Sequence, residues 1–122
     1  MSMIRSKNSV LEKEAFAYLR RSGIHFRKHY DKIVGKPDIA IPTKKRAVFI
    51  DGDFWHGWYF TRWKNKLPSD FWREKISANI RRDRKNFTAL RRSGWKVLRI
   101  WGHQLGGKNK HSALERIEKF LS

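Results

Sequence analysis

Two aspartates, a glutamate and a histidine are the residues of this chain most able to hold a cation and move a proton. Asp51 closes the apolar run Ala47-Val48-Phe49-Ile50, and Gly52-Asp53-Phe54-Trp55-His56 follows it. Such a run reads as a buried strand, and the side chains at its end emerge where a metal and a scissile bond can be placed. Asp38 opens a second short run, Asp38-Ile39-Ala40-Ile41, and the turn Pro42-Thr43-Lys44-Lys45 joins the two into a hairpin. Asp38 starts one strand and Asp51 finishes its antiparallel partner, so the hairpin itself brings both to one end. Either aspartate alone reads equally well as a turn-flanking or strand-end residue. Together, in a chain with 11 acidic against 29 basic side chains, they read better as hard ligands. Mg²⁺ is the implied ion, because it binds few carboxylates and keeps waters for phosphate oxygens.

His56 lies close behind Asp51, in a glycine-flanked stretch. A neutral imidazole near pH 7 suits removal of a proton from an attacking water. Asp53 either binds metal or orients the loop. Glu12 has a simpler explanation, as the last residue of the capping box Ser9-Val10-Leu11-Glu12. Its other reading is a partner that reaches the metal through water. His25 and His29 fall on a strand face, facing phosphate or solvent, and no chemistry is assigned to them.

Around these groups the chain is basic and aromatic. Residues 52–68 carry Phe54, Trp55, Trp58, Tyr59, Phe60 and Trp63 interleaved with Arg62, Lys64 and Lys66. Loop aromatics usually fold back into a core, but apolar wedges beside basic residues also pry open base steps. The helix that follows crowds Arg81, Arg82, Arg84 and Lys85 onto its polar side. A charged face is ordinarily a solvated one. Here the sign is nearly uniform, unlike a helix that uses opposite-charge pairs four residues apart, and phosphate contact is the better reading.

The elements needed to position these residues are legible. Residues 1–8 read as a basic arm. The capping box then opens a helix to about Arg21, stopped by Ser22-Gly23. Ile24 to Tyr30 alternates as a strand, followed by the hairpin. Ser69 caps a helix from about Asp70 to Arg92, closed by Ser93-Gly94. Trp95 to Trp101 is a strand, Gly102 to Lys110 a loop, and Ser112-Ala113-Leu114-Glu115 caps a final helix to Leu121. The order α-β-β-β-α-β-α predicts an α/β fold, a mixed central sheet flanked by helices, in one domain over residues 1–122. The strand after the long helix is expected to join the sheet by a right-handed crossover.

Composition bounds the function. The formal net charge is +18 over 122 residues, and a polyanionic partner is the usual reason to carry it. Nucleic acid is the expected partner, with an anionic membrane a distant second, and no apolar run approaches the roughly 20 residues of a span. There are no cysteines. That excludes disulfides and thiolate zinc sites and fits a cytoplasmic protein. The sequence leaves the oligomeric state open and favours a monomer.

The ordered set Lys36-Pro37-Asp38, Val48 to His56, Phe71-Trp72-Arg73-Glu74-Lys75-Ile76, Asn79 with Arg82-Asp83-Arg84, and Gly94-Trp95-Lys96-Val97-Leu98 with Trp101 resembles the very-short-patch repair (Vsr) endonucleases. These belong to the PD-(D/E)xK nuclease superfamily. The resemblance runs from about Leu11 to Leu105. It implies a Mg²⁺-dependent DNA endonuclease that nicks one strand beside a T:G mismatch in DNA repair. By position, it makes Asp38 the metal-binding aspartate, the Ile50 main-chain carbonyl a second ligand, His56 the catalytic histidine and Glu12 the N-terminal-helix glutamate. Phe54, Trp55 and Trp72 match the aromatics that intercalate beside the mismatch. Two positions depart from the pattern. Asp51 stands where the family has a second histidine, and the family's cysteine-rich zinc site has no counterpart, so no structural zinc is expected. The alternatives are a homing- or restriction-type nuclease of other specificity, or a non-catalytic DNA-binding module on the same fold.

Overall fold

The computed structural model describes the backbone of residues 2–51 and 70–122, and the side chains of 10–51, 71 and 73–122. Helix α1 spans Ser2–Arg21. It begins earlier than the capping box predicts, and Ser9 lies inside it. No glycine or proline interrupts residues 2–8, so nothing in that stretch obliges the helix to start at the box. At its other end Gly23, with φ 78°, donates to the Arg20 carbonyl, and Ile24 N–H donates to Leu19 O at 3.0 Å. This is the glycine-terminated stop that Ser22-Gly23 predicts.

Strand β1 is only Arg27–Lys28, β2 is Ile39–Ile41 and β3 is Arg46–Asp51. Helix α2 covers Asp70–Arg92 and β4 covers Lys96–Trp101. The sheet order is β1-β2-β3-β4, antiparallel across the first pairs and parallel between β3 and β4, with Asp51 opposite Trp101. Ala47 through Asp51 are all buried, as expected of a strand with a neighbour on both sides and a helix layer on both faces.

Two further helices follow β4. Gly102–Gly106 forms a short α3 where sequence pattern predicts loop. The Gln104 side chain accepts the Trp101 N–H at 2.8 Å, which ends the strand and starts the helical turn. Helix α4, Lys110–Leu121, starts at Asn109 rather than at the Ser112 capping box.

Each face of the sheet has its own core. On one side Ala15, Phe16 and Leu19 of α1 pack with Ile39, Val48, Ile50 and Ile100 and with Leu114, Ile117 and Leu121 of α4. On the other, Ala40, Ala47 and Phe49 meet Phe87 and Leu90 of α2 and Trp95. Alternation along β3 does this sorting: Val48 and Ile50 face α1, while Ala47 and Phe49 face α2. The first and last helices are also tied directly, since Tyr18 Oη donates to Glu118 Oε1 at 2.8 Å. No helix among the described residues is long and apolar enough to cross a membrane.

Candidate functional site

Asp38 sits just before β2, one step past the last ladder pair, Ile39 with Val48. Its Oδ2 accepts the backbone N–H of Ile50 at 2.6 Å. That bond fixes one carboxylate oxygen and ties the start of β2 to the end of β3, as the hairpin argument requires. Glu12 reaches the same carboxyl from α1, one helical turn before Phe16. Burial pushes the Asp38 carboxyl up to about 8; a side-chain hydrogen bond with Glu12 and the Glu12 charge add to this, and nearby Asp51 adds a smaller push in the same direction. The Ile50 N–H works against the shift. Two carboxyls held this close in a partly dry site cannot both ionise easily. They form a place where a divalent cation, rather than a proton, can balance the charge.

His29 completes the group. One ligand atom each from Glu12, His29 and Asp38 lie within 4.8 Å of one another. His29 Nε2 is 3.4 Å from Glu12 Oε2, and its Nδ1 is 3.9 Å from Asp38 Oδ1. Sequence alternation put this histidine on a strand face with no chemistry; the structure places it just past the end of β1, beside Glu12 and Asp38. His29 has φ 46°, a left-handed backbone that few non-glycine residues adopt. Regular pairing stops at Lys28, yet the His29 N–H still donates to Asp38 O at 2.9 Å. The kink breaks strand alternation, and the ring packs edge-on against Phe16 of α1, centroids 5.7 Å apart. No residue type encodes that turn. The available signal was that His29 is the neighbour directly across from Asp38 once the hairpin register is extended outward.

Asp51 lies at the same end of the sheet but is engaged differently. Its Oδ2 pairs with Arg99 Nε at 2.8 Å, and Arg99 Nη2 pairs with Asp83 Oδ2 of α2 at 2.7 Å. Both aspartates are buried. The guanidinium also lies over the Trp101 ring at 4.2 Å and the Phe87 ring at 5.2 Å. Arg99 thus joins β3, β4 and α2 at one point. Sequence reading missed it. The signal was an arginine set between Leu98 and Ile100 in the apolar run from Val97 to Trp101, where a charge needs a partner. Asp51 also borders a cavity of about 300 Å³ on the α2 side, with Lys36 and Arg82 at its wall.

The structure therefore brings Glu12 and Asp38 together, adds His29, and places Asp51 beside them in an ion-paired network. Arg81, Arg82, Arg84 and Lys85 are exposed along α2. Ile50 is buried and its N–H serves Asp38. His56, Phe54, Trp55, Arg62, Lys64 and Asp53 lie outside the described residues, as does the side chain of Trp72.

The donor set fits a small divalent cation. It offers carboxylate oxygens at the C-terminal edge of the central strand, in a chain of formal charge +18, where acids gathered in one place would otherwise have no evident use. Residues 1–62 match the family described as DNA mismatch endonuclease Vsr. The chain is similar to a type II nicking enzyme, V.NmeAIP of Neisseria meningitidis serogroup A, with 39% identity over 99% of this chain and 86% of the relative. A second type II nicking enzyme, V.HpaIIP of Haemophilus parainfluenzae, is 40% identical over 85% of this chain and 74% of its own length. The DNA mismatch endonuclease Vsr of Escherichia coli K12 is 31% identical over 99% of this chain and 80% of that protein. Fold, acid placement and these likenesses converge: the chain belongs to the Vsr family of DNA mismatch endonucleases.

Proposed function

We propose that this chain hydrolyses a phosphodiester in one strand of double-stranded DNA, with Mg²⁺ held at Asp38. The observation that carries the reading is the Asp38–Glu12 carboxyl pair, with the Asp38 proton retained to about pH 8, at the sheet end of a strongly basic member of an endonuclease family. When bound, the cation would polarise the target phosphate and favour attack by water.

The chain's own residues supply the rest. Asp38 and the Ile50 carbonyl would hold the ion, and Glu12 would orient water beside it. Asp51, locked by Arg99, adds negative charge at the site's edge and fixes the end of β3. His56 takes the proton of the attacking water. Arg81, Arg82, Arg84 and Lys85 on α2, with Arg62 and Lys64, engage backbone phosphates. Phe54, Trp55 and Trp72 wedge between base steps beside the target. The relatives named for mismatch cleavage and for nicking both fit a single-strand cut, and a T:G mismatch is the substrate to try first.

The test is side-by-side incubation of matched and T:G-mismatched duplexes, with products resolved strand by strand on a denaturing gel. The expected result is a Mg²⁺-dependent break in one strand, abolished by chelator and by Asp38→Asn. Equal cleavage by Asp38→Asn or in excess chelator would sink the reading.

A further inference from the structure

We propose that His29 is a nitrogen ligand of the cation site, so that the site takes Mn²⁺ or a similar transition ion more tightly than an all-oxygen site would. The inference rests on the reading that Asp38 holds a divalent cation, and it adds a third side chain and a metal preference to it.

Spacing is the first argument. The two His29 separations, 3.4 Å to Glu12 and 3.9 Å to Asp38, exceed the roughly 2.7–3.2 Å of an N–H···O hydrogen bond. They belong to different ring nitrogens, Nε2 toward Glu12 and Nδ1 toward Asp38, so the ring stands between the two carboxyls and one nitrogen can turn to an ion that they share. Ligands about 2.1 Å from one centre stand roughly 3 Å apart when adjacent and about 4.2 Å apart when opposite. All three donor atoms fall within 4.8 Å of one another, a span closed by a small movement of an exposed ring.

Placement is the second. The His29 side chain is 60% exposed, yet it is held at its base. Its N–H is bonded to the Asp38 carbonyl, and its ring rests on Phe16. The left-handed backbone turns it to the α1 side, where Glu12 stands. A solvent-facing histidine with no further role has no need of this geometry.

The consequence is chemical. Oxygen-only sites suit Mg²⁺, whereas an imidazole raises affinity for Mn²⁺ and later first-row ions far more than for Mg²⁺. The full-length, metal-free protein without DNA is titrated calorimetrically with Mn²⁺ and with Mg²⁺, and the Mn²⁺ complex is examined by electron spin-echo modulation. Wild type is expected to show nitrogen coupling that changes on ¹⁵N-histidine labelling. His29→Asn, chosen because asparagine tolerates positive φ, is expected to lose that coupling and to bind Mn²⁺ at least about tenfold more weakly. Its Mg²⁺ affinity should change much less. His29→Ala provides a second variant should the first fold poorly, and circular dichroism checks both. Nitrogen coupling that survives in a folded His29 variant, or that disappears only in His56→Ala, overturns the proposal. Undiminished binding of both ions by Asp38→Asn overturns the parent reading instead. Asp38-dependent binding without histidine coupling overturns this inference alone.

Discussion

Arg99 Nε stands 2.8 Å from Asp51 Oδ2, and the same guanidinium reaches Asp83 of α2. One cation on β4 thus pairs with two buried acids from different elements. Removing it takes the Arg99 charge away from both carboxylates at once. Arg99→Met is expected to destabilise the protein by roughly 3–5 kcal/mol, measured by urea unfolding. Arg99→Lys should fall between the two, because an ammonium cannot reproduce the fork that meets both acids. A loss under about 1 kcal/mol for Arg99→Met would show that the pairing has little weight in stability.

Asp38 predicts a pH dependence. Its carboxyl keeps a proton to about pH 8, against an ordinary value of 3.8. Between those values the folded state binds more protons than the unfolded one, so this group makes stability fall as pH rises. Its favourable contribution is complete below about pH 4 and lost above about pH 8. Asp38→Asn removes the slope while keeping an acceptor for Ile50 N–H. In metal-free buffer the variant should melt higher than the parent at pH 8, with the gap closing toward pH 4. Mg²⁺ should raise the parent's melting temperature and leave the variant's unchanged. Thermal scans across pH, with and without Mg²⁺, check both statements.

Cleavage should separate the two carboxyls of the pair. Asp38→Asn is expected to lower the nicking rate of supercoiled plasmid by about 10³-fold or more, since it removes the proposed holder of the ion. Glu12→Gln should cost less, about 10- to 100-fold, as expected of a group that orients the site around the ion. DNA affinity should hold in both, because neither residue is assigned a phosphate contact. Loss of binding in parallel with cleavage would contradict the assigned roles.

The basic face of α2 gives a salt test. If its cations meet phosphates, log affinity falls linearly with log salt, with a slope of about −0.9 per contact. Arg81→Ala and Lys85→Ala should each reduce that slope by about 1 and weaken all sequences alike. Fluorescence anisotropy over a salt series measures it. An unchanged slope would remove these side chains from the interface.

Much of this molecule could be read from residue order. Strand β3 and helix α2 have the bounds that apolar runs, Ser69 and Gly94 predict, because local pattern and burial agree there. The meeting of Asp38 with the end of β3 followed from hairpin geometry, and the family resemblance is borne out by the likeness to Vsr proteins. What escaped depends on tertiary choice. The left-handed turn at His29 cuts β1 to Arg27–Lys28 and redirects an imidazole that alternation placed elsewhere. Gln104 satisfies Trp101 N–H and converts a glycine-rich stretch into helix. Arg99 drew no reading of its own, because its partners Asp51 and Asp83 come from other elements of the fold.

The hydrogen bond from Tyr18 to Glu118 has a bearing on how the protein tolerates shortening. It joins residues 100 apart in sequence, and the C-terminal helix adds Leu114, Ile117 and Leu121 to the core beneath α1. Glu12 rides on α1, so the distal end of the chain steadies the helix that delivers this carboxyl to Asp38. Chains clipped before residue 110 would forfeit that brace. Their defect would surface as a misplaced glutamate, so a helix far from Asp38 in sequence bears on where the Glu12 carboxyl stands.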